Sequence, residues 1–559
     1  MRYQSFVVAL SFGSAALALH HQQFPVSAAG ETSGSKIEQW RFDEGPAENA
    51  TGNLIFDTVH SLLQHWPNTR HRNGHNIVPG VIPTGTLLYH GTDSHTIPSG
   101  PDWTAIDPEH SIVFAFGYGT GWQLTMAVTR PLKVLYFDGS SSAKLSEGTI
   151  DTQDIITWGE VQPERSWDEL SRIQELCRWG KEFGIDGFAR MEMSFEVMLC
   201  DFTAGVEVVS FLHVRLTWKD THVPSPPYRP PLDQDIWNRT FEAMYSGSWH
   251  NNYPGESRIV LDLAGLVSLY DIALAPSLVP VRAKLERWDY RVLGISPEDI
   301  SQVKRKLTEV VNRPDPGSGV DWMVLTHVIV DRYADRLEFT KHLLNFTSSD
   351  SQEFLRRARF VQTQLRIMLA PYLLDDTVVP DANNPGLQQL QWASPIFRLC
   401  ATTHTSVIIN LTPSMTPSER LLLKAIEDTT REICRVTTNM WAVGVMSGLD
   451  VIFPMEPNEE PDIVQIMNDW RQDIEKLMSW LDWSIWIKCR PACSAEEMCY
   501  LPTWPLDGPE PWPPHHPPGN LQNTLAEVDY LADRVGQTQA EDWRKPQPRC
   551  IRRLPQYGF

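Results

Sequence analysis

The spacing of hydrophobic residues changes once along this chain, and that change constrains the fold class more than any other feature. Residues 76–222 contain short alternating runs separated by turns, which is typical of β-strands. From about residue 235 to 488, apolar residues recur at three- and four-residue steps, the spacing of one helix face. A proline-rich stretch between them predicts a stiff linker over 223–234. We therefore expect an α+β protein, with a mixed β domain followed by a mostly α-helical domain.

Local signals support the helical part of this prediction. Large apolar residues follow one helix face over residues 322–337 and again over residues 422–440. Residues 416–419, Thr-Pro-Ser-Glu, have the form of a capping box with proline at the first helical position. We interpret the two apolar stripes as core packing.

The first residues have the pattern of a secretory signal. Arg2 supplies a positive charge, residues 6–19 form an apolar run, and residues 16–18 fit the small-x-small cleavage rule. The alternative is a membrane anchor, but the run is short and rich in Ser, Gly and Ala. We expect a signal peptide over 1–18, a secreted protein and no membrane span in the mature chain. A polar segment over 19–75, with one helix near 54–66, would follow.

Glycosylation signals and cysteines agree with export. Four Asn-x-Ser/Thr sequons begin at Asn49, Asn238, Asn345 and Asn410. The eight cysteines are Cys177, Cys200, Cys400, Cys434, Cys489, Cys493, Cys499 and Cys550. An even number in an oxidising route favours disulfides, whose pairing the sequence leaves open. A zinc site is the alternative for the cluster in the predicted Cys- and Pro-rich tail, 489–559, but its spacings do not match zinc ribbons and contain no His.

The charge balance excludes one class of partner. The chain has 48 Lys and Arg against 69 Asp and Glu, a net charge of −21. Because phosphates would be repelled by such a surface, we expect no nucleic-acid partner.

Three segments of the β region contain residues that suit a ligand site. His90 and Gly91 end a short apolar strand, where an imidazole and a bare backbone can face a ligand. Asp107 begins a short predicted helix. Glu196 lies inside an apolar strand over 193–201, and a carboxylate there is costly without a partner or a task. Each segment alone has a plainer explanation: local hydrogen bonds would satisfy His90, and Glu196 could lie on an exposed edge.

Together, the segments resemble the catalytic motifs of the ADP-ribosyltransferase superfamily, in its diphtheria-toxin and poly(ADP-ribose) polymerase-like His–aromatic–Glu branch. Residues 88–92, Leu-Tyr-His-Gly-Thr, match the first motif. Trp103, Ser111 and Phe114 match the spacing of the second, although the family usually has Tyr at both aromatic positions. Residues 196–201, Glu-Val-Met-Leu-Cys-Asp, match the third. The resemblance covers about residues 83–212, and the whole chain also resembles a group of fungal secreted or membrane proteins of unknown function.

The resemblance implies a role for each matching residue, with NAD as co-substrate and no metal. Glu196 would be catalytic, stabilising the positive charge that develops on the ribose. The expected NAD-binding residues are His90 on the adenosine-side ribose, Gly91 on the carboxamide, Trp103 and Phe114 around the nicotinamide ring, and Ser111 on its amide.

The implied function is NAD cleavage, with transfer of ADP-ribose to a protein, a small molecule or water. The alternative is a catalytically inactive secreted binding or structural glycoprotein that retains the fold. The sequence does not name the acceptor or the role of the helical region.

Overall fold

The computed structural model describes most of the chain between residues 40 and 553. The described residues are 40–112, 114–115, 120–215, 245–247, 255–348, 350–375, 377, 379, 390–455, 457, 460–503 and 544–553. The predicted signal peptide, the predicted linker and the sequon at Asn238 lie outside these ranges. Within them, no helix has the length and apolar character needed to cross a bilayer.

A mixed sheet of ten strands occupies the first half of the chain. Its strands are β1 (Asn76–Ile82), β2 (Leu87–Thr92), β3 (Asp102–Ala105), β4 (Thr120–Val128), β5 (Leu132–Phe137), β6 (Gly187–Met191), β7 (Phe195–Leu199), β8 (Val206–Arg215), β9 (Val260–Leu261) and β10 (Val267–Ser268). The order across the sheet is β10-β1-β5-β6-β7-β3-β2-β4-β8, and β9 also pairs with β1. The pairing of β5 with β6 is parallel, whereas the other pairs in this sheet are antiparallel.

Helices precede, interrupt and follow this sheet, which confirms the predicted α+β class. The described α-helices are α1 (Gly52–Ser61), α2 (His65–Arg70), α3 (Pro108–Ile112), α4 (Asp151–Thr157), α5 (Glu169–Lys181), α6 (Leu278–Arg282), α7 (Pro297–Val311), α8 (Trp322–Leu344), α9 (Ser351–Leu369), α10 (Ser394–Thr402), α11 (Pro417–Met446) and α12 (Ile463–Leu481). The parallel step from β5 to β6 passes through α4 and α5, since a parallel pair needs a long crossover.

Both faces of the central strands β6 and β7 are buried, and successive side chains of each strand point to opposite sides. Tyr136 and Val197 belong to one hydrophobic core, which continues without a break to Trp322 of α8 and the long helix α11. Phe137 and Met198, each one residue further along, belong to a second core built with α4, α5 and α7. The helical region therefore packs directly on the sheet.

The predicted capping box is present at the start of α11. The Thr416 hydroxyl accepts from the Glu419 main-chain nitrogen, and the Glu419 carboxylate accepts from the Thr416 nitrogen. Glu419 also accepts a hydrogen bond from the indole nitrogen of Trp322 in α8. The same carboxylate thus satisfies a main-chain N–H group at the start of α11 and also holds α8 against this helix.

All eight cysteines are paired, which confirms the expectation of disulfides. The pairs are Cys177–Cys200, Cys400–Cys434, Cys489–Cys499 and Cys493–Cys550. The strands β11 (Glu497–Tyr500) and β12 (Arg549–Arg552) form a small second sheet, and the last disulfide links Cys493, which precedes β11, to Cys550 within β12. The described parts of the predicted tail therefore contain an ordered, cross-linked unit.

Thr416→Ala should lower the free energy of unfolding by about 1–2 kcal/mol because it removes the helix cap and a hydrogen bond to the Ala264 carbonyl. Thr363→Ala is the matched control, since its hydroxyl donates to the Arg359 carbonyl within α9 and its loss should change stability by less than about 0.5 kcal/mol. Urea unfolding of both variants measures the difference. Equal losses would contradict the role assigned to the cap.

Candidate active site

Three adjacent strands and one short helix bring the predicted site residues together. His90 and Gly91 lie on β2, Trp103 on β3 and Glu196 on β7, and these strands are neighbours in the order β7-β3-β2. The register pairs Ala105 with both Tyr89 and Glu196. All six predicted residues line one cavity, together with Tyr89, Ala105 and His110; the six are His90, Gly91, Trp103, Ser111, Phe114 and Glu196.

The cavity is narrow. About 10 Å³ is open to the centre of a water molecule, which is room for about one water. The rings of Trp103 and Phe114 lie 6.4 Å apart between centroids at an interplanar angle of 82°. This edge-on contact fills the space in which a flat ring would stack between two parallel aromatic faces. The aromatic slot is therefore closed in this structure.

Hydrogen bonds hold His90 and Ser111 in the wall of the cavity. His90 Nδ1 lies 2.8 Å from the Trp103 carbonyl oxygen, and because a carbonyl oxygen only accepts, Nδ1 is the donor. The Ser111 hydroxyl donates to the Pro108 carbonyl and accepts from Gln123, which was not predicted from the sequence.

Gly91 is required by the approach of the helix α3 to strand β2. A Cβ atom on Gly91 would lie 1.9 Å from the Ser111 carbonyl oxygen, well inside the contact distance. The bare backbone thus allows the short helix to lie against the strand. This close approach brings Ser111 beside His90 at the cavity.

Glu196 is buried and held in its ionised form. The Ser142 hydroxyl donates to its carboxylate at 2.5 Å and Arg190 Nε donates at 2.6 Å. Burial alone would raise the pKa of Glu196, but the positive charges of Arg190 and Lys144 hold that pKa below its ordinary value. A fixed negative charge therefore faces the cavity.

A chain of buried ion pairs extends from Glu196 away from the cavity. Arg190 also pairs with Glu169, Glu169 pairs with Arg172, and Arg172 pairs with Asp154. Burial raises the pKa of Asp154 to about 6, despite the opposing charge of Arg172. The sequence feature that could have predicted these ion pairs is Arg190 inside the apolar strand β6, because a buried guanidinium needs carboxylate partners.

Two further titratable groups lie beside Glu196 and were not predicted from the sequence. One His110 nitrogen and one carboxylate oxygen each from Glu192 and Glu196 all lie within 4.8 Å of one another. Burial lowers the pKa of His110, and burial raises the pKa of Glu192 to about 7. Lys144 Nζ lies 4.0 Å from Glu192, and Arg190 pairs with Glu196. Since two positive charges already face these carboxylates, the cluster suits a neutral guest better than a divalent cation.

The region of the chain that contains the site is similar to a region of known yeast proteins. A family model described as the YPL277C N-terminal domain matches residues 45–123 and 118–229, which include all six predicted site residues. The chain is similar to uncharacterised yeast proteins. In Saccharomyces cerevisiae (strain ATCC 204508 / S288c), the uncharacterized protein YOR389W is 24% identical, covering 90% of this chain and 88% of that protein. The uncharacterized protein YPL277C is 27% identical, covering 60% and 84%. No solved structure matches.

The first of these yeast relatives aligns with the helical region as well as the sheet, because its match spans most of both chains. The predicted resemblance to fungal proteins of unknown function is therefore confirmed. The names of these relatives assign no activity.

Glu192→Gln should change how stability depends on pH. Burial raises the folded pKa of Glu192 from an ordinary value of 4.5 to about 7, so the folded state binds the proton more tightly. Its stabilising effect is complete below about pH 4.5 and is lost as the pH rises through 7. The variant should gain on the order of 2–3 kcal/mol relative to the unmutated protein between pH 4.5 and 8.

Urea unfolding of both proteins at several pH values measures this difference. Glu207→Gln is the control, since Glu207 is exposed on β8. A difference between the Glu192 variant and the unmutated protein that stays constant with pH would contradict the assignment.

Proposed function

We propose that this protein is a secreted ADP-ribosyltransferase-like enzyme that cleaves the nicotinamide–ribose bond of NAD and passes ADP-ribose to an acceptor or to water. The observation that carries the proposal is the convergence of six motif residues on one cavity, although they span more than a hundred positions of sequence. Chance matches to three motifs would have no reason to meet at one point of the fold. The resemblance to the ADP-ribosyltransferases itself rests on the three sequence motifs.

The charge at the cavity suits this reaction. Loss of nicotinamide develops positive charge on the ribose, as in glycoside cleavage. A carboxylate whose negative charge is fixed before the reaction stabilises that charge without reorganisation. Glu196 fits this requirement, because Arg190 and Ser142 hold its position and its ionised form.

The aromatic pair would hold the leaving group. Trp103 and Phe114 would bind the nicotinamide ring between them, with Ser111 and the Gly91 backbone beside its amide. Because the slot is closed in this structure, ligand entry requires the two rings to separate. Binding would then be accompanied by a movement of Phe114 and of α3, which precedes it.

Secretion has separate support. Four disulfides suit an oxidising compartment. The asparagines of three sequons are exposed, at Asn49, Asn345 and Asn410. Glycans at these positions would meet no packed surface.

The second candidate is a binding or structural glycoprotein that retains the fold without turnover. Its support is the closed aromatic slot, together with the engagement of Glu196 by Arg190 and Ser142. In this case Glu196 would serve only to neutralise the buried arginine.

Glu196→Gln and Glu169→Gln separate the two candidates, because each variant removes one carboxylate from Arg190. Glu196 lines the cavity, whereas Glu169 lies on the far side of the guanidinium. We expect Glu196→Gln to reduce the rate of nicotinamide release from NAD by about 100-fold or more. Glu169→Gln should keep most of the rate, because Arg190 still pairs with Glu196, and should lose at least as much stability, because Glu169 also pairs with Arg172.

A purified-protein assay of nicotinamide release, with thermal unfolding measured on the same samples, tests this pair. Equal rates in the Glu196 and Glu169 variants would refute the catalytic role. Thermal stabilisation by NAD without any nicotinamide release would favour the second candidate.

A further inference from the structure

The cluster of His110, Glu192 and Glu196 has the dimensions of a site for one oxygen atom. Its three ligand atoms lie within 4.8 Å of one another. A point at the centre of the triangle that they form is at most about 2.8 Å from each corner, which is within hydrogen-bond distance. Two members of the cluster, His110 and Glu196, also line the cavity, and Glu192 lies beside them. In this closed form the cavity has room for about one water, so it suits a single small guest.

We propose that His110, Glu192 and Glu196 bind the water molecule that attacks the ribose in the proposed reaction, and that Glu192 takes its proton. This inference rests on the proposed NAD cleavage and specifies its acceptor. A site with room for one oxygen atom suits water better than the side chain of a protein substrate.

The reaction balances with these groups. The bond between the ribose C1′ and the nicotinamide nitrogen breaks, and its electron pair leaves with the neutral nicotinamide. The water oxygen forms the new bond to C1′, and one water proton moves to the Glu192 carboxylate. The products are nicotinamide and free ADP-ribose, and Glu192 returns its proton to solvent before the next turnover.

His110 is oriented to receive the water as a neutral ring. Burial keeps the pKa of His110 below its ordinary value, so the ring is neutral. The nitrogen that does not donate is then an acceptor, so it receives a hydrogen bond from the bound water.

Charged groups around Glu192 set the pH at which it can accept a proton. Lys144 and Arg190 favour its ionised form, whereas burial and the negative charges of Glu196 and Glu169 oppose it; His110 faces it within the cluster as a neutral ring. The balance leaves the pKa of Glu192 at about 7. Since only the ionised carboxylate accepts a proton, turnover should rise with pH through this value.

The test measures nicotinamide release and free ADP-ribose from NAD between pH 5 and 9, using the full chain. The variants are Glu192→Gln, with exposed Glu207→Gln as its control, and Lys144→Met, with exposed Lys133→Met as its control. We expect Glu192→Gln to lower the rate by about 100-fold or more and to abolish the rise near pH 7. Lys144→Met should move that rise to higher pH, because it removes a positive charge that favours ionised Glu192. Both products should form in equal amounts.

Several results would overturn the inference. If the unmutated protein releases nicotinamide and Glu192→Gln does so equally fast, the inference fails and the proposed function stands. It also fails if the pH rise is the same in every variant, which would indicate a purely structural role for the cluster. Less ADP-ribose than nicotinamide would assign the oxygen site to another acceptor. No release by the unmutated protein at any pH would refute both the proposed function and this inference.

Discussion

The buried chain of charges from Asp154 to Glu196 is the interaction on which the arrangement of the site depends. Arg172 joins Asp154 to Glu169, and Arg190 joins Glu169 to Glu196. Charges inside a protein are costly unless each is paired, so the loss of one member leaves its neighbour uncompensated. These ion pairs therefore fix α4, α5, β6 and β7 relative to one another. They also place the negative charge of Glu196 at the cavity.

The strand order of the sheet brings residues that are distant in sequence close to the Glu196 carboxylate. Because β3 lies between β7 and β2, Glu196, Trp103 and His90 meet although their strands are far apart in sequence. The close contact of α3 with Gly91 then places Ser111 in the wall of the cavity. Helices α8 and α11 pack on the sheet through the core that contains Tyr136 and contribute no residue to the cavity, so they support the site without lining it.

Features set by short-range pattern were predictable, whereas features set by tertiary contacts were not. The capping box at Thr416 is local, and the motif spacing around His90, Trp103 and Glu196 led to residues that share one cavity. Arg190 and Glu192 were missed because their burial, and contacts such as those with Glu169 and Lys144, come from distant parts of the chain. The pairing of β11 with β12 depends on sulfurs 57 residues apart, and the even cysteine count predicted disulfides without their connectivity.

A crystal structure with benzamide, a nicotinamide mimic without a ribose, tests the central claim most directly, because the claim concerns where a flat amide-bearing ring binds. The account predicts benzamide between Trp103 and Phe114, with the two rings moved apart, and with its amide beside Ser111 and the Gly91 backbone. Glu196 should keep its contact with Arg190. A saturated crystal in which the Trp103–Phe114 contact stays closed, or in which benzamide binds elsewhere on the protein, would contradict the account.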